Sequence, residues 1–477
     1  MNNILKFRNI VINEVVAVDQ KIIEEADRPE LSNKIRKLFF FMFREGLLRT
    51  FHKINSKRNK EIQPIKRKTL LFVSLDNKIF VNFSTQTTPQ PKFFVIKNQF
   101  YLVPEIFKME DVEEEGIFNQ FEEKKNPRFK HITPVALATR PDQVSNTETP
   151  EKHNKGIFLY GLGDYSRVYI APNIKNETKR YCVDYSHPLA SYYQKKYGYK
   201  NFGIIPEDSY AQLKNTKSPL AIIATYHSDH TRIANEIFNV NPNTLIFIEK
   251  PPCVTLEDIK LLSALYYKGA KIEIGYNRRF IPVNQKIKEL YFNVPKAINI
   301  SVKEILINES HWYLWNNQGT RVTGNLTHWL DLCVFWINGL PVEINLLKST
   351  ESDETIAITI LFSEGSLVNI IVSDKGNSLR GVQEHIEIST KEETLLINDY
   401  NTFTRIYKNG RKTTQRFLKR MKGHDAMYKH LAKIYNGKSD IKYTRKDLEV
   451  TALITFHITE MYTQDIKNLN LEGKMTI

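Results

Sequence analysis

The sequence predicts an α/β domain on a parallel sheet, then an α+β domain with a largely antiparallel open sheet, both preceded by a small mixed α/β region. Three observations carry that reading. From Gly156 onward, short apolar runs alternate with stretches of helical spacing, the pattern of strands joined by crossover helices. At the head of that stretch, Gly156–Tyr160 reads as a buried strand that passes through Gly161-Leu162-Gly163 into a helical segment with Tyr165, Val168 and Tyr169. Past Pro341, residues 342–347, 355–362, 366–373, 384–389 and 394–398 alternate apolar and polar side chains, as strands do when one face is covered.

Length and composition permit this organisation. The 477 residues are 41% hydrophobic and 11% aromatic, enough for two or three cores. Residues 1–137 form the mixed region. There, Ile10–Val18 alternates as a strand, Leu31–Ser56 has helical spacing around Gly46, and 69–75, 78–83, 92–97 and 99–103 read as a small antiparallel meander. The acidic run Glu110–Glu115 reads as solvated surface. A polar stretch with Pro141 and Pro150 makes 138–155 a linker. The α/β domain then spans 156–280. The α+β domain spans 281–477 and closes with helices near Arg416–Tyr435 and Arg445–Tyr462.

Several function classes are disfavoured. No signal-peptide order follows Met1, and the longest apolar run, Leu38–Phe43, is far too short to span a bilayer. A cytoplasmic protein with no transmembrane segment is expected. Cys182, Cys253 and Cys333 lack disulfide or metal-ligand spacing, so no metal site is expected. The net charge of +15 is unevenly spread: 44–68 carries +7, 405–446 carries +12, and the remainder sums to −4. Solvated lysine-rich faces, patches that steer an anionic substrate, or peripheral contact with a membrane surface each account for it. No zinc-finger or RNP-type pattern accompanies the charge, so specific nucleic-acid binding is not expected.

The glycine turn carries chemistry. Gly161 and Gly163 fill the first two positions of a GxGxxG fingerprint, with Asp164 and Tyr165 between them and the third position, taken by Ser166. Such a turn lets backbone N–H groups approach a pyrophosphate at a helix start, the arrangement of a Rossmann dinucleotide-binding domain. Asp184 ends the next strand, 23 residues after Gly161, where a carboxylate accepts hydrogen bonds from ribose hydroxyls or simply ends a strand. A carboxylate there repels a 2′-phosphate, which favours NAD over NADP. Ligands bind beyond the carboxyl ends of parallel strands. The residues at those ends are Thr225, Tyr226, His227 and His230 at and after the strand expected over 220–225, Glu249 and Lys250 after that over 244–248, and Tyr276, Asn277, Arg278 and Arg279 after that over 271–275.

Three of these stretches carry a family resemblance: ATYHSDH at 224–230, Glu249-Lys250-Pro251, and IGYNRRF at 274–280. In this order they resemble the glucose-fructose oxidoreductase and inositol dehydrogenase family, Gfo/Idh/MocA. The resemblance continues through His311-Trp312 and TGNLTHWLD at 323–331, and extends to Lys422-Gly423-His424. It implies that Lys250 and His328 are catalytic, handling a sugar hydroxyl proton beside the nicotinamide. It also implies cofactor contacts from the glycine turn, Asp184, Thr225, Tyr226, His227, His230, Glu249, Lys250 and Asn277. The substrate would then meet Tyr276, Arg278 and Asn325, with Arg279 either a further substrate contact or a structural ion-pair member, and Trp312 either a platform for a sugar face or core packing. In the family the last sheet is the substrate half and often the oligomer interface, so a homo-oligomer is expected.

The chain also departs from the family. Many members carry an acidic residue three or four positions before the catalytic histidine, where this chain has Gly324 and Asn325. The leading region is similar to a truncated alcohol-dehydrogenase-like unit at 44–58, and no cysteine precedes Cys182. The favoured expectation is an NAD-dependent oxidoreductase acting on a sugar or nucleotide-sugar in surface-polysaccharide synthesis. A redox-neutral NAD-dependent step, such as glycoside cleavage or epimerisation, and a non-catalytic nucleotide-binding or interaction protein are the alternatives.

Overall fold

A computed structural model describes residues 153–475 apart from 175–176, 186, 305–319, 350–354, 374 and 376–381. Ahead of residue 153 it describes the backbone of six strands: β1 (Glu14–Val18), β2 (Thr69–Val73), β3 (Ile79–Phe83), β4 (Pro91–Ile96), β5 (Gln99–Pro104) and β6 (Ile132–Ala136). The expected meander is two separate antiparallel hairpins, β2–β3 and β4–β5, while β1 pairs with β6. The helix expected over Leu31–Ser56 lies outside the described residues.

Six strands make the parallel sheet: β7 (His153–Tyr160), β8 (Lys179–Val183), β9 (Asn201–Gly203), β10 (Thr216–Ile223), β11 (Leu245–Ile248) and β12 (Lys271–Ile274). Their order is β12-β11-β10-β7-β8-β9, so the winding reverses between β10 and β7. β11 and the second halves of β7 (156–160) and β10 (219–223) are continuous apolar runs because helices cover both faces of the sheet there. The helices are α1 (His187–Tyr197), α2 (Tyr210–Lys214), α3 (His230–Val240) and α4 (Leu256–Tyr267). Tyr160, Val183, Ile223, Ile248 and Ile274 end their strands in register. Everything that follows those five residues is therefore delivered to one edge of the sheet, on both sides of the reversal.

α5 (Pro282–Tyr291) leads to a nine-stranded sheet. Its strands are β13 (Ala297–Lys303), β14 (Pro341–Lys348), β15 (Ile356–Phe362), β16 (Leu367–Ser373), β17 (Gln383–Ser389), β18 (Glu393–Asn398), β19 (Thr402–Tyr407), β20 (Lys412–Arg416) and β21 (Asn468–Asn470). The order is β20-β19-β18-β17-β13-β16-β15-β14-β21, with β13–β16 its one parallel pair. Alternate residues such as Ile298, Ile300, Ile358, Ile360, Val368, Ile370, Ile386 and Ile388 are fully buried. They pack in one cluster with Trp329 and Trp336 of α6 (Thr327–Trp336) and Leu448, Ile454 and Met461 of α8 (Arg445–Gln464). Burying such a side chain contributes about 1.5–3 kcal/mol. The hydrophobic alternation thus holds the helix carrying His328 against the sheet.

One boundary differs from the sequence expectation. The helix expected from Arg416 begins at His424, as α7 (His424–Tyr435), because residues 412–416 pair with β19 and Gly423 takes a left-handed φ of +77°. Among the described residues no helix is long and apolar enough to cross a membrane.

Candidate nucleotide and active site

The glycine turn is held by its own main chain. Gly161 has φ +88°, and a Cβ there would stand 2.2 Å from the Ala224 carbonyl oxygen, so the turn between β7 and β10 closes only with glycine. Gly163 has open space where its Cβ would be. Ser166, in place of the third glycine, donates its hydroxyl to the Gly161 carbonyl at 2.6 Å. The helical turn that follows is short and π-helical at Ser166–Ile170, and within it Arg167 pairs with Asp164. Leu162 N–H donates to Asp184 Oδ2 at 2.8 Å. The half-buried Asp184 is thereby fixed beside the turn.

After β10, Thr225 and Tyr226 are half-buried and His227 is buried. His230 lies between two carbonyls, Pro251 at 2.7 Å from Nδ1 and Thr225 at 3.2 Å from Nε2. Burial lowers its pKa to about 4, and the neutral ring has a single N–H, so it donates to one of these carbonyls and only packs against the other.

At the end of β11, Glu249 is buried and accepts from the Tyr428 and Tyr165 hydroxyls. Burial lifts its pKa to about 7 against the pull of those hydrogen bonds and of Lys250. Lys250 precedes a cis peptide to Pro251 and donates from Nζ to the Gly324 carbonyl at 2.6 Å. Burial lowers its pKa to about 8, with Glu249 opposing and Arg278 assisting. Gly324 lies in a π-helical turn, Val322–Leu326, that runs into α6. His328 is half-buried in the first turn of α6, its ring 6.3 Å from that of Tyr276, and its buried Nδ1 has no hydrogen-bond partner among the described residues. Burial holds its pKa well below the ordinary imidazole value, reinforced by Lys250, Arg278 and His424. The half-buried Asn325 lies beside Gly324 on the same turn.

No sequence family model matches the chain. YteT of Bacillus subtilis (strain 168), which is named as an oxidoreductase, is 24% identical over 149 residues. That match takes in 29% of this chain, which spans about a third (34%) of YteT's length. GenD2 from gentamicin A biosynthesis, in complex with NAD, superposes with a TM-score of 0.54 at 14% identity, over 67% of this chain and 96% of that one. A levoglucosan dehydrogenase in complex with NADH and L-sorbose gives 0.54 at 14% identity, over 66% and 98%. The fold is that of the Gfo/Idh/MocA-type dehydrogenases.

On this dehydrogenase fold, some expected residues meet and others do not. Lys250 is hydrogen-bonded to the turn that carries Asn325 and leads into the helix of His328, so the three residues are brought together there. Arg279, by contrast, is committed elsewhere. Its guanidinium binds Asp331 at 2.8–3.1 Å, reaches Asp447 at 3.1 Å and stacks on Tyr443, the structural ion-pair arrangement that the sequence left open as the alternative to a substrate contact. Arg278 is nearly as enclosed: it binds Glu384 at 2.8 Å and lies over Trp329. Glu384 also accepts from Trp329 Nε1 and from Arg420. Tyr276 is buried with its hydroxyl 2.8 Å from the Thr327 hydroxyl, placing it behind His328. Asn277 is buried and donates to the Lys422 carbonyl. Trp312 lies outside the described residues.

Sequence reasoning gave no role to Tyr428 or to His424, which stacks on Tyr169 with ring centroids 4.2 Å apart. The available signal was the Lys422-Gly423-His424 stretch. Among the described residues no three His, Cys, Asp or Glu side chains group as a metal site.

Proposed function

We propose that this chain is an NAD-dependent oxidoreductase that moves hydride to or from a hydroxyl-bearing carbon of a sugar or nucleotide-sugar. The observation that carries the reading is the hydrogen bond that brings Lys250, at the carboxyl edge of the parallel sheet, to the turn leading into the helix of His328. The glycine turn and Asp184 lie along the same edge. The residues fit a dinucleotide: Gly163 leaves free the space its Cβ would fill, and Asp184 sits at a strand end beside the turn. Gly161, Gly163, Asp164, Tyr165 and Ser166 would hold the phosphates and Asp184 the adenosine ribose, its carboxylate favouring NAD over NADP. Thr225, Tyr226, Glu249 and Asn277 would line the remainder.

NAD(H), when bound, supplies or accepts the hydride. The chain supplies orientation and proton transfer. Near pH 8 Lys250 is divided between its two protonation states, so it can accept a proton from a substrate hydroxyl in one direction and return it in the other. Neutral His328 is a second acceptor. Asn325 can hydrogen-bond a sugar but cannot take its proton, which leaves proton transfer to the lysine and the histidine. Arg411, Lys412, Arg416 and Lys419, exposed around β20, suit an anionic nucleotide-sugar or an anionic surface. The open face of the nine-stranded sheet exposes Leu347, Leu361, Leu367 and Ile371, which supports a homo-oligomer. We place the protein in the cytoplasm, in surface-polysaccharide synthesis.

The test is titration of protein purified without added nucleotide with NAD(H), alongside Asp184→Ala, then a screen of nucleotide-sugars for hydride transfer. Binding weakened by the substitution and turnover of one sugar are expected. A folded sample that binds neither NAD nor NADP overturns the proposal.

A further inference from the structure

The segment Lys422-Gly423-His424 opens α7 against the residues that follow β12. A Cβ on Gly423 would lie 2.0 Å from the Asn277 carbonyl oxygen, and Asn277 Nδ2 donates to the Lys422 carbonyl at 2.5 Å. This close approach brings the His424 ring onto Tyr169, at 4.2 Å and 22° between planes, and within 6.0 Å of Tyr165. One turn later the buried Tyr428 hydroxyl donates to the Glu249 carboxyl group and lies 3.5 Å from the Tyr165 hydroxyl. A single C-terminal helix thus holds both aromatic residues of the turn after the glycines, together with the residue preceding Lys250.

We propose that α7 is a third wall of the dinucleotide site. Tyr428 is its positioning residue, fixing the glycine-turn helix on Glu249, and His424 is the ring that faces a bound dinucleotide together with Tyr165 and Tyr169. The division of burial supports these roles. Tyr165, Tyr169 and His424 are half-buried, so the array keeps an accessible face, while Tyr428 is closed off from solvent. His424 also lies near enough to His328 to add to the burial, Lys250 and Arg278 effects that lower the His328 pKa. The inference rests on the NAD-dependent reading above.

The full chain is titrated with NADH by fluorescence, and the melting temperature of each variant is recorded. Tyr428→Phe, which loses one hydrogen bond, and His424→Ala, which loses a stacked ring, are each expected to weaken NADH binding about tenfold. The melting temperature of His424→Ala should stay near that of the unaltered protein, while Tyr428→Phe, which takes one donor from the buried Glu249, should lower it by only a few degrees and leave the protein folded. His430→Ala is the control: His430 is on the same helix but packs on Phe280, at 5.2 Å, and should leave the affinity unchanged. Unchanged affinity in both Tyr428→Phe and His424→Ala overturns the proposal. So does equal weakening by His430→Ala, because α7 would then act through packing alone. If the unaltered protein fails to bind NADH, the dinucleotide reading itself falls, an outcome separable from either of these.

Discussion

Lys250 and Gly324 are joined by one hydrogen bond, ammonium to main-chain carbonyl, at 2.6 Å. The bond links the end of β11 to the π-helical turn that leads into the helix of His328. Its acceptor is neutral, so burial outweighs attraction and the lysine titrates near 8. A π-helical turn is a common feature of functional sites because it re-aims main-chain groups. Here it aims a carbonyl at the proposed catalytic lysine.

Lys250→Met should lower kcat/KM on the order of 100- to 10,000-fold, the usual contribution of a general acid–base group, while NADH affinity changes little. In the unaltered enzyme, hydroxyl oxidation needs the neutral amine and should rise as pH increases through about 8. Carbonyl reduction needs the ammonium and should fall over the same range. Rate profiles in both directions test this, and a profile flat through pH 8 in both would remove Lys250 from proton transfer.

The two glycines of the turn should separate folding from binding. Gly161→Ala forces a side chain into a left-handed backbone 2.2 Å from the Ala224 carbonyl oxygen, a strain of about 1–3 kcal/mol or more, visible as a lower urea midpoint. Gly163→Ala meets no atom within 4 Å. Its stability should stay within about 0.5 kcal/mol of the parent while dinucleotide binding weakens, since the added methyl occupies the space proposed for the ligand.

What the sequence reveals and what it withholds follow from sequence distance. Gly161, Asp184 and the Glu249-Lys250 pair stand just past strand ends, and a strand end is marked locally, by an apolar run that stops. The sequence therefore places these residues on one edge. It does not show where their side chains point. Arg278 and Arg279 are adjacent and follow the same strand, yet one turns to Glu384 and the other to Asp331. Tyr428 reaches Glu249 across 179 residues, a pairing set only when α7 docks. β20 carries almost no buried side chain, so no alternation marks Lys412–Arg416 as a strand, and pairing with β19 alone makes it one.

Arg279→Ala should be a stability variant. Removing the guanidinium leaves Asp331, fully buried, with only the Tyr443 and Thr451 hydroxyls as hydrogen-bond partners among the described residues. Breaking a buried ion pair in this way costs about 3–5 kcal/mol. A large drop in the urea midpoint is expected, with KM for substrate near the parent value in the fraction that stays folded. A specific rise in KM at unchanged stability would return Arg279 to the substrate site.

Glu249 should leave a mark on the pH dependence of stability. Its folded pKa of about 7 lies above the usual 4.5, so between those values the folded state binds more protons than the unfolded state does. Stability from this group is complete below about 4.5 and declines as pH rises through 7, by on the order of 3 kcal/mol for this buried carboxyl. The raw stability curve will not show the slope alone. His230, held near 4 by burial, works in the opposite sense, losing stability as pH falls from about 6.5, and Glu273 adds a slope like that of Glu249. Subtracting the curve of Glu249→Gln, which keeps the shape and cannot ionise, isolates the group. The difference should be flat below pH 4.5, grow in favour of glutamine up to about 7 and level off above it. A difference that favours glutamate at higher pH would mean that the Tyr165 and Tyr428 hydroxyls and Lys250 outweigh burial, and that Glu249 is a stable anion beside the proposed catalytic lysine.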